Sequence, residues 1–439
     1  MILTSISVCF PLYNVLPIKM PIGLTGFMLI SVLISFRFFF NKFFLKKYII
    51  LGFEETKVLI TILSLFCIYY IITAFISPFL FQGEVNVFPP GDKFIHGSVK
   101  VNPSISNIAQ IIYITLYFIF VMWVIQESSL EKNKNLNYYK FLFIGACFGI
   151  FFSFLQLLHK TMGFYFPMEM LYDMPRRAGN QVDAILFGIA PRINGSFSEA
   201  SDAARYFTSI FSASLMSTLF FKKTIYKAIF ILSSLCLLMA LSSTGIIAGV
   251  IIILTFIMIR SFSTYIPNLI INRSLPKIIP STIIIILSII FTIYLTKPEI
   301  IDNSLFILNK LTFEKVNSGS FESRTGKDLI AFDILSETYF LGIGAGSHRS
   351  GSLMWYVLSN SGIIGFMLFF IFLVILLIVT FNNRYNGDIV ICSSAFFSFI
   401  LAKTIAGPGV ADDILWFTLF ILLASINKIK IYESIQIRK

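Results

Sequence analysis

The chain has 439 residues, of which 57% are hydrophobic and 13% charged, with a mean hydropathy of +0.86 and a formal net charge of +12. Soluble domains carry about 25% charged residues, so this composition excludes a soluble globular protein and indicates a polytopic membrane protein. The basic excess sits in short loops between apolar runs, where it reports orientation rather than nucleic-acid binding.

A membrane helix needs roughly 20 mostly apolar residues. In chain order, spans are predicted at 2–17, 22–40, 58–81, 104–126, 140–158, 203–221, 226–242, 244–260, 278–296, 353–381, 388–405 and 412–427. Pro11 and Pro17 interrupt the first, so the expectation is eleven or twelve helices in one all-α transmembrane domain over residues 1–439. The N-terminus has no basic segment followed by a small-residue cleavage site and reads as a retained first span. Lys42, Lys46, Lys47 and Lys57 follow the second span, Lys132, Lys134 and Lys140 the fourth, and Lys222, Lys223 and Lys227 the sixth. Arg260, Arg273 and Lys277 follow the eighth, Arg384 the tenth, and Lys428 and Lys430 the last. By the positive-inside rule these loops and both termini are cytoplasmic, which puts residues 82–103, 159–202, 297–352 and 404–411 on the outer side.

Two polar segments stand out, Pro191–Tyr206 and Phe321–Gly351, and both fall in outer loops. Charge beside a bilayer is costly and marks candidate function. Ser196 and Glu199 have capping-box spacing and predict a helix start there. Residues 328–337 alternate polar groups with Leu329, Ile330, Phe332, Ile334 and Leu335, predicting a helix lying apolar face down on the outer membrane surface. Gly342, Gly344 and Gly346 predict a flexible turn into the next span. A dinucleotide fingerprint is excluded, because no strand or βαβ unit surrounds those glycines.

Arg192 and Arg324, supported by Arg176, Arg177, Arg205 and Arg349, are the candidate anion-binding residues. Guanidinium groups stay charged and pair bidentately with phosphate oxygens, which suits a pyrophosphate headgroup. Ordinary surface ion pairing is the competing reading, for example Arg324 with Asp328 at i,i+4. Glu199 is a candidate general base or hydroxyl anchor, against a plain capping role; His348 is a second candidate base. Lys403 is expected to pair with Asp412 or Asp413 across the Ala406–Gly409 turn. Cys9, Cys67, Cys147, Cys236 and Cys392 lie in apolar segments, and His96, His159 and His348 lack ligand spacing, so neither a disulfide framework nor a metal site is expected. No Walker motif or Asp-x-Asp pair occurs, and no nucleic-acid partner is expected.

The run Arg192-Ile-Asn-Gly195-Ser-Phe197-Ser-Glu199-Ala-Ser201 resembles the R-x-x-G-x-F-x-E-P-S stretch of bacterial O-antigen polymerases, with Ala200 in place of Pro. Ser323-Arg324, then Leu341–Ser347, then Ser361-Gly362-Ile-Ile-Gly365 opening a long apolar helix, is similar in order to the O-antigen ligase/polymerase core. The resemblance covers roughly residues 190–380 together with the helix count. It implies a GT-C-like membrane glycosyltransferase of the bacterial inner membrane, acting at the periplasmic face without a cofactor. Donor and acceptor would be oligosaccharide repeats on undecaprenyl pyrophosphate, with a flippase and a chain-length regulator as partners. It implies that Arg192 and Arg324 engage the pyrophosphate and that Glu199 is the acidic position of the first motif. Ligases of the same family resemble H-[NSQ]-x9-G ahead of the late-helix glycine; counting back from Gly362 reaches Gly351-Ser352, and His348 is three residues too early. That departure favours polymerase over ligase. A polysaccharide flippase and a solute permease are the readings from other classes; the first should carry charge within the spans and the second inverted repeats or paired broken helices.

Overall fold

The structure, a computed structural model, describes residues 25–43, 54–90, 97–129, 136–171, 185–186, 190–221, 223–263, 302, 306–307, 309–311, 314 and 318–437. These residues are mostly helical. α1 (Gly26–Phe43), α2 (Glu54–Leu80), α3 (Ile105–Ser128) and α4 (Tyr139–Met162) are followed by the single turn α5 (Met168–Leu171). Then come α6 (Ala200–Phe220), α7 (Thr224–Met239), α8 (Ser243–Ser263), α9 (Gly319–Glu337), α10 (Leu353–Asn382), α11 (Gly387–Ile405) and α12 (Asp413–Ile437). Two short antiparallel hairpins sit in connections: β1 (Asn86–Val87) with β2 (Val99–Lys100), and β3 (Ile185–Leu186) with β4 (Ala190–Pro191).

Five segments are long and apolar enough to cross a membrane, in α2, α3, α4, α10 and α11, which makes the described part an all-α membrane protein. The spans expected from sequence coincide within a few residues with α1–α4, α6–α8, α10 and α11, and α12 runs on to Ile437. Those expected at 2–17 and 278–296 lie outside the described residues.

α6 does not count among the five, and its surroundings explain why. It is enclosed by α7, α8 and α11 rather than by lipid. Its buried hydroxyls are satisfied at short range: Thr208 donates to Ala204 O at 2.7 Å, Ser217 to Ala213 O at 2.9 Å, and Ser209 crosses to Ala395 O on α11 at 2.9 Å. Lipid tails are as apolar as Leu, so close packing of small residues and such crossings hold membrane helices together, each hydrogen bond contributing roughly 0.6–1.7 kcal/mol. α12 is the apolar counterpart, buried from Ile414 to Asn427 against α3 and α11, with Trp416 stacked on Tyr117. Its Asn427 amide donates to Ile125 O at 3.2 Å and to Ser128 Oγ at 2.9 Å, tying α12 to the carbonyl end of α3.

α10 packs on α2 and carries α9. It is not continuous: Gly362, expected near a helix start, sits inside it with φ +62° and ψ −169°. The interruption is filled by the chain from 340 to 344. Ile363 N–H donates to Phe340 O at 3.0 Å, and Ile343 and Gly344 N–H donate to Ser359 O and Asn360 O at 2.9 and 2.8 Å. The Gly342–Gly346 segment is thus a buried, hydrogen-bonded connector and not the flexible turn expected from its composition. A Cβ on Gly344 would stand 2.6 Å from Thr73 O, and one on Gly346 2.6 Å from Ser106 O, so the strap needs bare backbone to pass α2 and α3.

α9 also differs from expectation. Ile330, Ala331, Ile334 and Leu335 pack inward, Ile330 and Ile334 against Phe81, Val87, Val101 and Ile343, so part of its apolar face covers the β1–β2 hairpin while Leu329 and Phe332 stay exposed. Gly344→Ala should therefore lower stability by about 1–3 kcal/mol from backbone strain alone, with the clash in addition. Gly326→Ala, in open space on α9, should be neutral or stabilising by about 0.5–1 kcal/mol. Thermal unfolding of the detergent-solubilised protein compares the two, and equal losses would contradict the packed-strap reading.

Candidate active site

The ends of α4, α7 and α11 and the starts of α6, α10 and α12 meet at one end of the bundle, where both polar segments lie. The first segment is built around α4. Gln156 Oε1 accepts the N–H groups of Asn194 and Gly195, both at 2.8 Å, and its Nε2 donates to Asn194 Oδ1 at 3.0 Å. Gly195 has φ +58°, and a Cβ there would meet Ser153 Oγ at 2.5 Å, so only glycine lets the chain pass this close to α4. Phe197 is fully buried, its ring centroid 4.9 Å from that of Tyr206. The R-x-x-G-x-F-x-E spacing thus has a physical reading. Glycine and phenylalanine anchor the middle, and Arg192 and Glu199 are presented at its two ends.

Glu199 was expected to close a capping box from N3. Instead α6 starts at Ala200, and Glu199 is its N-cap residue, with φ −134° and ψ 147°. Its carbonyl accepts the first helical N–H bonds from Asp202 and Ala203, while its side chain makes no cap bond. The carboxylate accepts Ser201 Oγ–H at 3.3 Å and lies in the fields of both Arg192 and Arg324. The capping explanation for this acid is removed.

Arg192 is held by its own backbone and by the end of α7: Lys160 donates to its carbonyl at 2.8 Å, and its Nε donates to Ala240 O at 3.3 Å. Burial destabilises its charge, and Arg324 adds to this, against the favourable field of Glu199. Arg324 on α9 is likewise depressed, first by burial and then by Arg205, with Arg349 contributing further. The Arg324–Asp328 ion pair of the competing reading does not form. Asp328 Oδ1 accepts Gly351 N–H at 2.7 Å and Ser352 N–H at 3.3 Å, capping the start of α10. Neither Arg192 nor Arg324 has an ion-pair partner within 4.0 Å among the described residues.

Arg205 is differently occupied. It is salt-bridged to Asp202 and donates through Nη1 to Ala406 O at 2.9 Å, and Gly407 packs bare against its guanidinium. It braces the 406–411 loop beside the site. Lys403 pairs with Asp412 at 2.8 Å, as the sequence suggested. Gly407 N–H donates to Gly351 O at 3.0 Å, joining this loop to the second segment. Arg349 N–H donates to Phe88 O at 2.7 Å. Arg176 and Arg177 lie outside the described residues.

His348 is wholly buried, with both ring nitrogens engaged. Nδ1 accepts Phe88 N–H at 3.3 Å, and Nε2–H donates to Lys327 O at 3.1 Å. Its main chain is bracketed by the Asn360 amide, at 3.2 Å from its N–H and 3.0 Å from its carbonyl. This histidine ties the β1–β2 hairpin to α9 and α10, which explains it without a catalytic duty. Lys327, one turn from Arg324, was not picked out from the sequence although i,i+3 spacing puts the two on one face. Burial lowers its pKa, and Arg349 and Arg324 lower it further. Gln156, a lone amide within an apolar span, was the other readable signal.

Burial pulls the His348 pKa down to about 4. Against an ordinary value near 6.5, neutral His348 contributes about 3 kcal/mol of stability that is present above pH 6.5 and lost as pH falls towards 4. Stability measured between pH 7.5 and 4.5 should fall more steeply in the wild type than in His348→Gln; parallel curves would refute the assignment. The chain matches no family model and no curated protein sequence.

Proposed function

We propose that the protein polymerises lipid-linked oligosaccharide repeats, as a membrane glycosyltransferase of the O-antigen polymerase type, for O-antigen, capsule or exopolysaccharide. One observation carries this reading: Arg192 and Arg324, from segments over 100 residues apart, share a half-buried site with Glu199 and lack ion-pair partners among the described residues. Two desolvated guanidiniums that share the field of the Glu199 carboxylate suit a reaction in which a pyrophosphate departs while a hydroxyl is activated. The hydroxyl oxygen of the incoming repeat attacks the anomeric carbon of the growing chain. The new C–O bond forms as the bond from that carbon to the pyrophosphate oxygen breaks. Arg192 and Arg324 receive the developing charge on the pyrophosphate, where preorganised cations act most strongly. Glu199 takes the hydroxyl proton. Lys327 and Arg349 extend the positive field, and Arg205 positions the loop wall. The proposed setting is the outer face of the bacterial inner membrane with both termini cytoplasmic, which the clustering of both segments at one end of the bundle supports.

A transport reading has the interrupted helix α10 in its favour, since broken helices bind solutes in transporters. Here the freed backbone groups are taken up by Phe340, Ile343 and Gly344, which leaves little for a solute to bind. Arg192→Ala or Arg324→Ala should reduce polymer formation from purified lipid-linked repeats about 10²–10³-fold, at unchanged protein level. Glu199→Gln should do the same while retaining binding of the lipid-linked donor. Wild-type chain lengths from all three variants would refute the proposal.

A further inference from the structure

The turn after α9 combines three features that the reaction does not use. Tyr339 and Phe340 are consecutive aromatics with φ +50° and +65°, in the left-handed region that bulky residues avoid. They are nevertheless 80% and 56% exposed, so the strain does not serve to bury them. The backbone holds them there: Phe340 N–H donates to Leu335 O at 2.8 Å, Leu341 N–H to Thr338 O at 3.0 Å, and Phe340 O accepts Ile363 N–H.

The third feature is their level on α10. From Ile363 to Asn382 the helix runs roughly 20 residues, about 30 Å, which equals the hydrocarbon thickness of a bilayer. This stretch presents exposed Ile363, Ile364, Met367, Phe370 and Phe381. At its far end Arg384 lies 4.9 Å from the Phe381 ring and 4.7 Å from the Tyr385 ring, an arrangement suited to the opposite membrane interface. Before the interruption, from Leu353 to Gly362, no residue of α10 is exposed, and Ser359, Asn360 and Ser361 are buried. Counted back from the Arg384 end, a layer of that thickness ends at the interruption at Gly362. Tyr339–Leu341 lies against that interruption, at the depth where aromatic side chains concentrate.

We propose that Tyr339, Phe340 and Leu341 form an interfacial anchor seated in the lipid headgroup–acyl boundary, fixing the height of α9, and so of Arg324, above the bilayer. The occupant of this patch is lipid: the patch continues directly into the exposed apolar stripe of a helix long enough to cross the membrane. The inference rests on the membrane reading alone and is independent of the reaction proposed above.

The test is spin-label depth in proteoliposomes of phosphatidylethanolamine and phosphatidylglycerol, with Cys9 and Cys147 replaced by serine. Labels at Tyr339→Cys and Phe340→Cys are compared with Glu322→Cys as the aqueous reference and Met367→Cys as the lipid reference. Oxygen accessibility should exceed nickel-chelate accessibility at both aromatic positions, with depths between the two references. Leu341→Cys, whose backbone is not left-handed, reads the same depth should an aromatic variant fail to fold. Nickel accessibility equal to that at Glu322 would overturn the proposal. So would a label shielded from both reagents, because a protein surface rather than lipid would then cover the patch.

Discussion

A single carboxylate joins the parts of this molecule that sequence keeps apart. Asp328, on α9, accepts two backbone N–H groups at the start of α10, at 2.7 and 3.3 Å. The same Gly351 that donates to Asp328 accepts from Gly407, whose loop is gripped by Arg205 of α6. Burial raises the Asp328 pKa, opposed first by the Gly351 N–H. The joint leaves no room for a side chain: a Cβ on Gly351 would stand 2.9 Å from both Cβ and O of Arg324. The position of Arg324 thus follows from close backbone packing at Gly351 and Gly407, tied by the Asp328 carboxylate and the Arg205 guanidinium.

The cations divide by what faces them. Arg205 and Lys403 are neutralised by Asp202 and Asp412 and act on the frame. Buried pairs of this kind contribute little net stability, because desolvation offsets the attraction, but losing one partner is costly. Arg192 and Arg324 make no such pair among the described residues, and the fields of Glu199, Asp202 and Asp328 offset their mutual repulsion and burial without neutralising them at contact. In the proposed reaction an arriving pyrophosphate would relieve that destabilisation, concentrating binding energy where charge develops.

Much of the scaffold was legible because its signals are local. Apolar length located α1–α4, α6–α8, α10 and α11 to within a few residues. Arg192, Glu199 and Arg324 were picked out because guanidinium and carboxylate in apolar surroundings are rare. What stayed hidden depends on partners distant in sequence. Asp328 reads as an i,i+4 partner for Arg324 until Gly351 is known to lie above it. His348 reads as a base until Phe88, 260 positions away, and Lys327 are placed on its ring nitrogens. The glycines at 342, 344 and 346 read as looseness, since no pattern reveals the backbone of α2 and α3 pressed against them.

The interruption of α10 has a consequence for the membrane itself. The segment beyond Gly362 is rigid, apolar and of fixed length, whereas the part before it is tied by the Gly342–Gly346 strap to α9. A bilayer of different thickness cannot be met by sliding the whole helix without moving the strap. Hydrophobic mismatch is then taken up by tilt or by local deformation of lipid, at fractions of a kcal/mol per Å. The acyl-chain length of the host membrane thereby becomes a variable acting on the height of the arginines.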